Sequence, residues 1–261
     1  STLFFTAPRK VELRETPLPP LQDDEVLVET IFSAISAGTE MLVYRGEFPK
    51  LKDVHDSVSS ELKYPLAYGY ACVGKVREIG KMVNGEWQDR IVFSFQPHTT
   101  HFVSKPENLI PLPTPVAPEN ACFLPNMETA VNLVQDGAPI LGERVLVLGQ
   151  GVVGLLTASL LNEFPLESLY VVDGIELRRN AIKVEGSKGT KLAPRDLEPS
   201  TFDLSYELTG SPAALNTAID HTTFSGRIVI GSWYGQKRAE IDLGGSFHRS
   251  RIKLISSQVS S

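Results

Sequence analysis

Three glycines and one carboxylate carry the most specific chemistry in the chain. Gly149, Gly151 and Gly154 stand in the order Gly-x-Gly-x-x-Gly directly after the apolar run Arg144 to Leu148, and Asp173 follows Gly154 by 19 residues (173 − 154). Such a group can hold a pyrophosphate: the first glycine allows a tight turn, the second lets the backbone approach the ligand, and the third lets a helix pack against the preceding strand. The helix that starts there offers its positive dipole end and the free N–H groups of its first turn, here those of Val152 and Val153. An acid ~20 residues further on accepts ribose hydroxyls. The charge of Asp173 repels a 2′-phosphate and so favours NAD, while Arg178 and Arg179 close behind it leave NADP open.

A glycine fingerprint alone is weak, and its weight depends on the elements around it. Strands are expected at Arg144 to Leu148, Ser168 to Val172, Thr190 to Leu192, Leu204 to Leu208, Arg227 to Ile230 and Lys253 to Ser256. Helices are expected between them at Val152 to Glu163, Glu176 to Glu185 and Ala213 to His221, with a further helix before them at Asn120 to Asp136. Apolar strands that alternate with helices require right-handed crossovers and a parallel sheet covered on both faces. The expected class is therefore α/β, a doubly wound Rossmann sheet. Ligands lie at the carboxyl edge of such sheets, which singles out Thr209 and Gly210 after one strand and Gly231 and Ser232 after the next. Both pairs also read as ordinary strand-to-helix turns. Thr129, on the helix near the domain junction, is a further candidate cofactor contact.

Before this region the pattern differs. Glu25 to Ser33, Ala71 to Ile79, Arg90 to Phe95 and Thr100 to Val103 are short β-rich runs broken by Pro and Gly, which points to a compact, mostly antiparallel or barrel-like domain. Lys50 to Lys63 reads as a long surface loop or short helix. The domain change is placed between residues 118 and 119, giving 1–118 and 119–261. A net charge of −6 argues against nucleic acid and anionic membrane as partners. Ser1 to Arg14 has no apolar leader, and no stretch approaches the ~18 apolar residues of a membrane span. A cytoplasmic protein with a small-molecule substrate is expected. Cys72 and Cys122, widely spaced, read as buried free thiols.

A barrel-like domain followed by this dinucleotide unit resembles the medium-chain dehydrogenase/reductase superfamily, which includes zinc alcohol dehydrogenases and zinc-free quinone oxidoreductases. The resemblance spans essentially the whole chain and rests, in the first domain, on Ser36-Ala-Gly-Thr-Glu40, on Arg45-Gly46 and on Tyr64-Pro-Leu-Ala-Tyr-Gly-Tyr-Ala-Cys-Val-Gly74. It implies a GroES-like N-terminal domain for catalysis, a homodimer formed through the last Rossmann strand (Ile252 to Ser257), and a segment beyond Ser261 that returns to complete the first domain. It also implies where catalytic zinc ligands would stand: at Ala37, at Tyr70-Ala71 and near Pro125, none of which is Cys or His. Catalytic zinc needs about three N, S or carboxylate ligands, so the expectation is a member without zinc. The structural zinc lobe, which takes four cysteines, cannot be built from two. His98 and His101 read as strand-end packing or surface rather than as a metal pair.

Without a Lewis acid, the oxygen that gains or loses charge needs a proton donor or hydrogen bond. Tyr70, at the former ligand position, is the leading candidate. Thr39 matches the hydroxyl that relays protons in the zinc enzymes and Glu40 the adjacent acid, for which a structural carboxylate is the competing reading. Tyr44 and Asn126 are candidates for the substrate pocket, with packing or turn roles as alternatives. Two functions follow: a zinc-independent NAD(P)-dependent oxidoreductase that moves a hydride to or from a small carbonyl, alcohol, quinone or activated alkene, and a non-catalytic NAD(P)-binding sensor or interaction protein.

Overall fold

A computed structural model describes residues 1–48, 62–181, 189–192 and 196–259. The expected loop Lys50 to Lys63 lies largely outside the described residues, as does the expected helix Glu176 to Glu185 beyond Ala181. The chain forms two compact units, Ser1–Pro125 and Asn126–Ser261.

The first unit contains β1 (Thr2–Ala7), β2 (Lys10–Arg14), β3 (Val26–Ser33), α1 (Thr39–Arg45), β4 (Leu66–Ala67), β5 (Cys72–Ile79), β6 (Ile91–Ser94), β7 (His101–Ser104), β8 (Ile110–Pro111) and α2 (Pro118–Ala121). One antiparallel sheet has the order β7-β3-β5-β6-β8 and a smaller one β2-β1-β4. Register shifts at Leu27/Val28 and Thr30/Phe32 mark bulges that bend β3. Its inward residues Val26 and Val28 meet Val76, Val92 and Phe102 in one core, and a second core joins Ala71, Val73, Phe93 and Cys122. Both cysteines are free and buried. The four expected strands of this region form with ends within one residue of those expected; β1, β2, β4 and β8 are additional, β1 with no alternation and β2 with the short alternating run Lys-Val-Glu-Leu-Arg.

Cys122 explains where the units divide. It follows α2 and is packed in the core of the first unit, so the boundary falls after Pro125 and not after the expected Pro118. The single expected helix Asn120 to Asp136 is two, because Pro125 has no N–H and is tolerated only in a first turn. Accordingly α3 (Leu124–Gly137) starts just before it.

The second unit continues with β9 (Arg144–Leu148), α4 (Val152–Asn162), β10 (Ser168–Val172), α5 (Glu176–Ala181), β11 (Gly189–Leu192), β12 (Phe202–Glu207), α6 (Ala214–His221), β13 (Thr222–Ile230), α7 (Ser246–Arg249) and β14 (Lys253–Ser256). All six strands pair in parallel in the order β11-β10-β9-β12-β13-β14. The central strand shows why its sequence is an unbroken apolar run. Val145 and Val147 enter one core with Ala158 and Leu161 of α4 and Leu133 of α3, whereas Leu146 and Leu148 enter another with Leu215 and Ile219 of α6. Side chains alternate across a strand, so a sheet covered on both faces buries every residue of its middle strand. Each fully buried Val or Leu contributes roughly 1.5–3 kcal/mol.

Ion pairs hold the amino ends of these strands. Arg227 forks onto Glu143 (2.6 and 2.9 Å) and also donates to the carbonyls of Gly137 (2.7 Å) and Ala138 (2.8 Å). Arg144 forks onto Asp203 at 3.0 Å through each of two nitrogens. Burial pushes the Asp203 carboxyl up, but the Arg144 side chain and amide outweigh this and hold it below its ordinary range. Among the described residues no helix is long and apolar enough to cross a membrane.

Candidate functional site

The strand order reverses beside β9, with β10 and β11 on one side and β12 to β14 on the other. Loops that leave β9 and β12 therefore diverge at their carboxyl ends and open a crevice there. The glycine turn lies at this point. Gly149 has φ +94°, and a Cβ on it would stand 2.5 Å from the carbonyl oxygen of Leu208 at the end of β12. Gly154, in the first turn of α4, would place a Cβ 2.0 Å from the carbonyl oxygen of Gly149. These two glycines let three backbone segments converge. Gly151 differs: it caps α4 with φ −73°, no side chain caps the helix, and a Cβ on it would meet nothing within 4 Å. The first-turn amides of Val152 and Val153 follow it, and the open space beside Gly151 suits a ligand approaching the backbone.

Asp173 leaves the end of β10 and turns toward this loop. One carboxylate oxygen accepts the amide of Gln150 at 2.8 Å and the other that of Ile175 at 2.7 Å. Asp173 is thus a brace of the turn, which its sequence position did not reveal. A carboxylate has about four acceptor sites, and these two amides fill two of them. Arg178 stands 3.7 Å from the same carboxylate, and Arg179 donates to the carbonyl of Asp173 at 2.6 Å.

Across the crevice a network around Glu207 shapes the two small-residue loops. This carboxylate is fully buried at the end of β12. It accepts the amide of Thr209 at 2.8 Å, the Thr209 hydroxyl, and the Tyr234 hydroxyl at 2.5 Å. The Ser232 hydroxyl accepts the amide of Gly210 at 2.9 Å and donates to the carbonyl of Glu207 at 3.3 Å. Gly231 allows this approach, since a Cβ there would strike Leu133 at 2.5 Å and Leu208 at 2.6 Å. Burial, then the Glu207 hydrogen bond, raises the Tyr234 hydroxyl pKa, so it remains a donor. Thr209, Gly210, Gly231 and Ser232 thus lie together, tied through a residue that pattern reading passed over. The signal was present: an acid at the end of an apolar strand. Thr129 and Asn126 are half-buried on α3.

In the first unit, Glu40 lies in α1 and is only 2% exposed. One carboxylate oxygen accepts the amide of Ser36 at 3.0 Å, and the other is 2.7 Å from Nε2 of His98. The remaining ring nitrogen of His98 is hydrogen-bonded to the Ser33 hydroxyl. His98 is therefore neither loose packing nor free surface, and only the fold, which joins residues 58 apart, shows it. Thr39 opens α1 with its amide on the Ser36 hydroxyl at 3.3 Å, and Tyr44 is half-buried on the same helix. Tyr70 packs beside the Ala71 core and edge-on to Tyr68, with ring centres 6.3 Å apart. Burial, then the neighbouring Tyr70 and Glu40, pushes the Tyr68 hydroxyl up to about 12. His101 starts β7.

Zinc, implied by the dehydrogenase resemblance, does not fit these residues. The positions of its ligands hold Ala37, Tyr70, Ala71 and Pro125, and the Glu40 and His98 side chains are already joined to each other. Among the described residues, no group of three or more His, Cys, Asp and Glu is arranged to hold a metal ion.

No family model matches the chain. It is 24% identical over 263 residues to an L-threonine 3-dehydrogenase of Xanthomonas campestris pv. campestris, covering 86% of this chain and 74% of that protein. Among solved structures, a zinc-binding dehydrogenase of Sinorhizobium meliloti bound to NADP superposes with TM-score 0.77 at 16% identity, over 98% of this chain and 83% of the other. An alcohol dehydrogenase of Escherichia coli complexed with NADH gives TM-score 0.75 at 17% identity, over 99% and 83%.

Proposed function

We propose that this chain, which has the fold of the medium-chain dehydrogenase/reductase superfamily, is a nicotinamide-dependent oxidoreductase working on a small alcohol or carbonyl compound without zinc. The observation that carries the reading is the turn of Gly149, Gly151 and Gly154, held by Asp173 at the switch point of a parallel sheet. The relatives support the reaction class: an L-threonine dehydrogenase in sequence, and structures holding NADP or NADH.

The dinucleotide, when bound, accepts or supplies the hydride. This chain's residues bind and orient it. The amides of Gly151, Val152 and Val153 and the dipole of α4 receive the pyrophosphate. Asp173 receives the ribose hydroxyls with its two remaining acceptor sites, and its charge opposes a 2′-phosphate, which makes NAD the preferred form. Thr209, Gly210, Gly231 and Ser232 wall the far side, held rigid by Glu207. In the first unit, Tyr70 is the hydrogen-bond donor to the substrate oxygen, with Thr39 and Tyr44 as further contacts; Asn126, the first residue of the second unit, is another, and quinones or activated alkenes are the other electrophiles in scope. Two chains pair through β14, the last strand of the sheet.

The test is turnover. NADH or NADPH is mixed with alcohols, carbonyls, enones and quinones, and cofactor binding is measured separately by fluorescence. Oxidation or reduction of one class is expected, with kcat reduced in Tyr70→Phe. Confirmed binding with no turnover of any acceptor would instead support a nicotinamide sensor, and a monomeric mass in solution would rule out pairing through β14.

A further inference from the structure

We infer that Tyr234 and Lys237 are positioning residues for the dinucleotide, two prongs of one turn that fix the gap between the loops after β12 and β13; the inference rests on the nicotinamide-dependent reading above. The turn is Tyr234-Gly-Gln-Lys237, closed by the Lys237 amide on the Tyr234 carbonyl at 3.1 Å, with Gly235 at φ +61°. It belongs to the loop after β13, yet the side chains at both of its ends reach across. The Tyr234 hydroxyl donates to the carboxylate of Glu207 at 2.5 Å, and the Lys237 ammonium donates to the carbonyl of Gly210 at 2.7 Å.

The loop they reach takes its shape from side chains. β12 and β13 keep parallel register as far as Glu207 and Ile230, and the Gly231 amide still meets the Glu207 carbonyl at 3.1 Å. Beyond that rung the amides of the β12 loop turn to side chains: Thr209 to Glu207 at 2.8 Å, Gly210 to Ser232 at 2.9 Å and Ser211 to the Thr209 hydroxyl at 3.0 Å. A loop bonded in this way stands wherever those side chains are fixed. Glu207 is their hub.

This carboxylate is fully buried, and a buried charge is costly unless it is hydrogen-bonded. One oxygen accepts the amide and the hydroxyl of Thr209, and the other accepts the Tyr234 hydroxyl. The phenol therefore sets the plane of the carboxylate, and through it the place of Thr209. Its own ring is backed by the core that contains Leu215 and Ile228. The second prong differs in kind. The Lys237 bond is exposed, and bonds of exposed charged side chains contribute little to folding. What it fixes is the carbonyl of Gly210 at the carboxyl edge of the sheet, where ligands lie in such folds.

Two substitutions test the prongs separately. Tyr234→Phe leaves the ring in its core and removes the hydroxyl, while Lys237→Met keeps the aliphatic stem and removes the ammonium. The NADH Kd should rise about tenfold in Tyr234→Phe and about threefold in Lys237→Met. The KM for the alcohol or carbonyl should not change in either, Lys237→Met should melt as the wild type does, and Lys237→Arg should restore the affinity. Hydrogen exchange should be faster at the Thr209 and Gly210 amides in both variants. Wild-type NADH Kd in both variants overturns the positioning role and leaves the dinucleotide site intact. Weaker binding in Tyr234→Phe that follows its loss of stability, with Lys237→Met unchanged, overturns it as well, since the tyrosine then only supports the fold. If Tyr234→Phe does not fold, an unchanged Kd in Lys237→Met is decisive against the role. Failure of the wild type to bind NADH or NADPH overturns the nicotinamide reading and this inference with it.

Discussion

Replacing the three glycines one at a time separates folding from binding, because the space beside each differs. In Gly154→Ala the new methyl would stand 2.0 Å from the Gly149 carbonyl oxygen, and neither partner is a flexible side chain. The turn is also held from behind, since the Gly149 amide donates to the Val172 carbonyl at 2.8 Å. Overpacking of this kind costs about 1–3 kcal/mol, and the upper end applies where backbone meets backbone. Alanine regains about 1 kcal/mol over glycine inside a helix. The clash wins by about 2 kcal/mol, or roughly 4–8 °C in melting temperature for a domain of this size. Gly151→Ala behaves oppositely. Its φ of −73° is open to alanine and nothing lies within 4 Å, so stability should hold or rise by about 0.4–1 kcal/mol. The methyl instead enters the space assigned to the pyrophosphate, and NADH affinity should fall at least about tenfold, equivalent to about 1.4 kcal/mol. Circular dichroism melts and NADH fluorescence titrations read the two effects. Wild-type melting of Gly154→Ala, or undiminished NADH binding by Gly151→Ala, would refute the reasoning.

Three further outcomes are expected. Asp173→Asn keeps an acceptor for the Gln150 amide but loses the charge, so the NADPH-to-NADH affinity ratio should rise by about tenfold; an unchanged ratio in parallel titrations counts against cofactor selection by Asp173. Arg227→Lys offers one ammonium where a fork reaches Glu143 and two carbonyls, and leaving buried Glu143 poorly paired should cost about 3 kcal/mol, visible as a lower denaturation midpoint in urea. Asp203, whose folded pKa is depressed below 3.8, contributes stability that is complete above the ordinary carboxylate range and is lost as pH falls through its folded value. Melts between pH 5 and 2.5 should therefore show a smaller acid-induced loss in Asp203→Asn than in the wild type, and parallel curves would contradict the assignment.

The parallel sheet was legible because its physics is local. An apolar run must be buried on both faces, and a turn that admits only glycine at Gly149 and Gly154 reveals itself in composition, so β9, β10, α4 and the place of Asp173 were all readable from one chain. The start of α3 departs from the expected helix for an equally local reason, the proline at 125, and the division into compact units after Pro125 goes with a less local one, the burial of Cys122 in the first core. The glycine turn, the acid after β10 and the lack of metal-ligating residues at Ala37, Tyr70, Ala71 and Pro125 are thus properties of the sequence itself. The pairings are not. That Glu207 ties Thr209 to Tyr234, that Asp173 braces Gln150, and that His98 reaches Glu40 across 58 residues depend on where strand ends and loops converge. Hydrogen bonds act over about 3 Å, and only tertiary structure brings such distant residues that close.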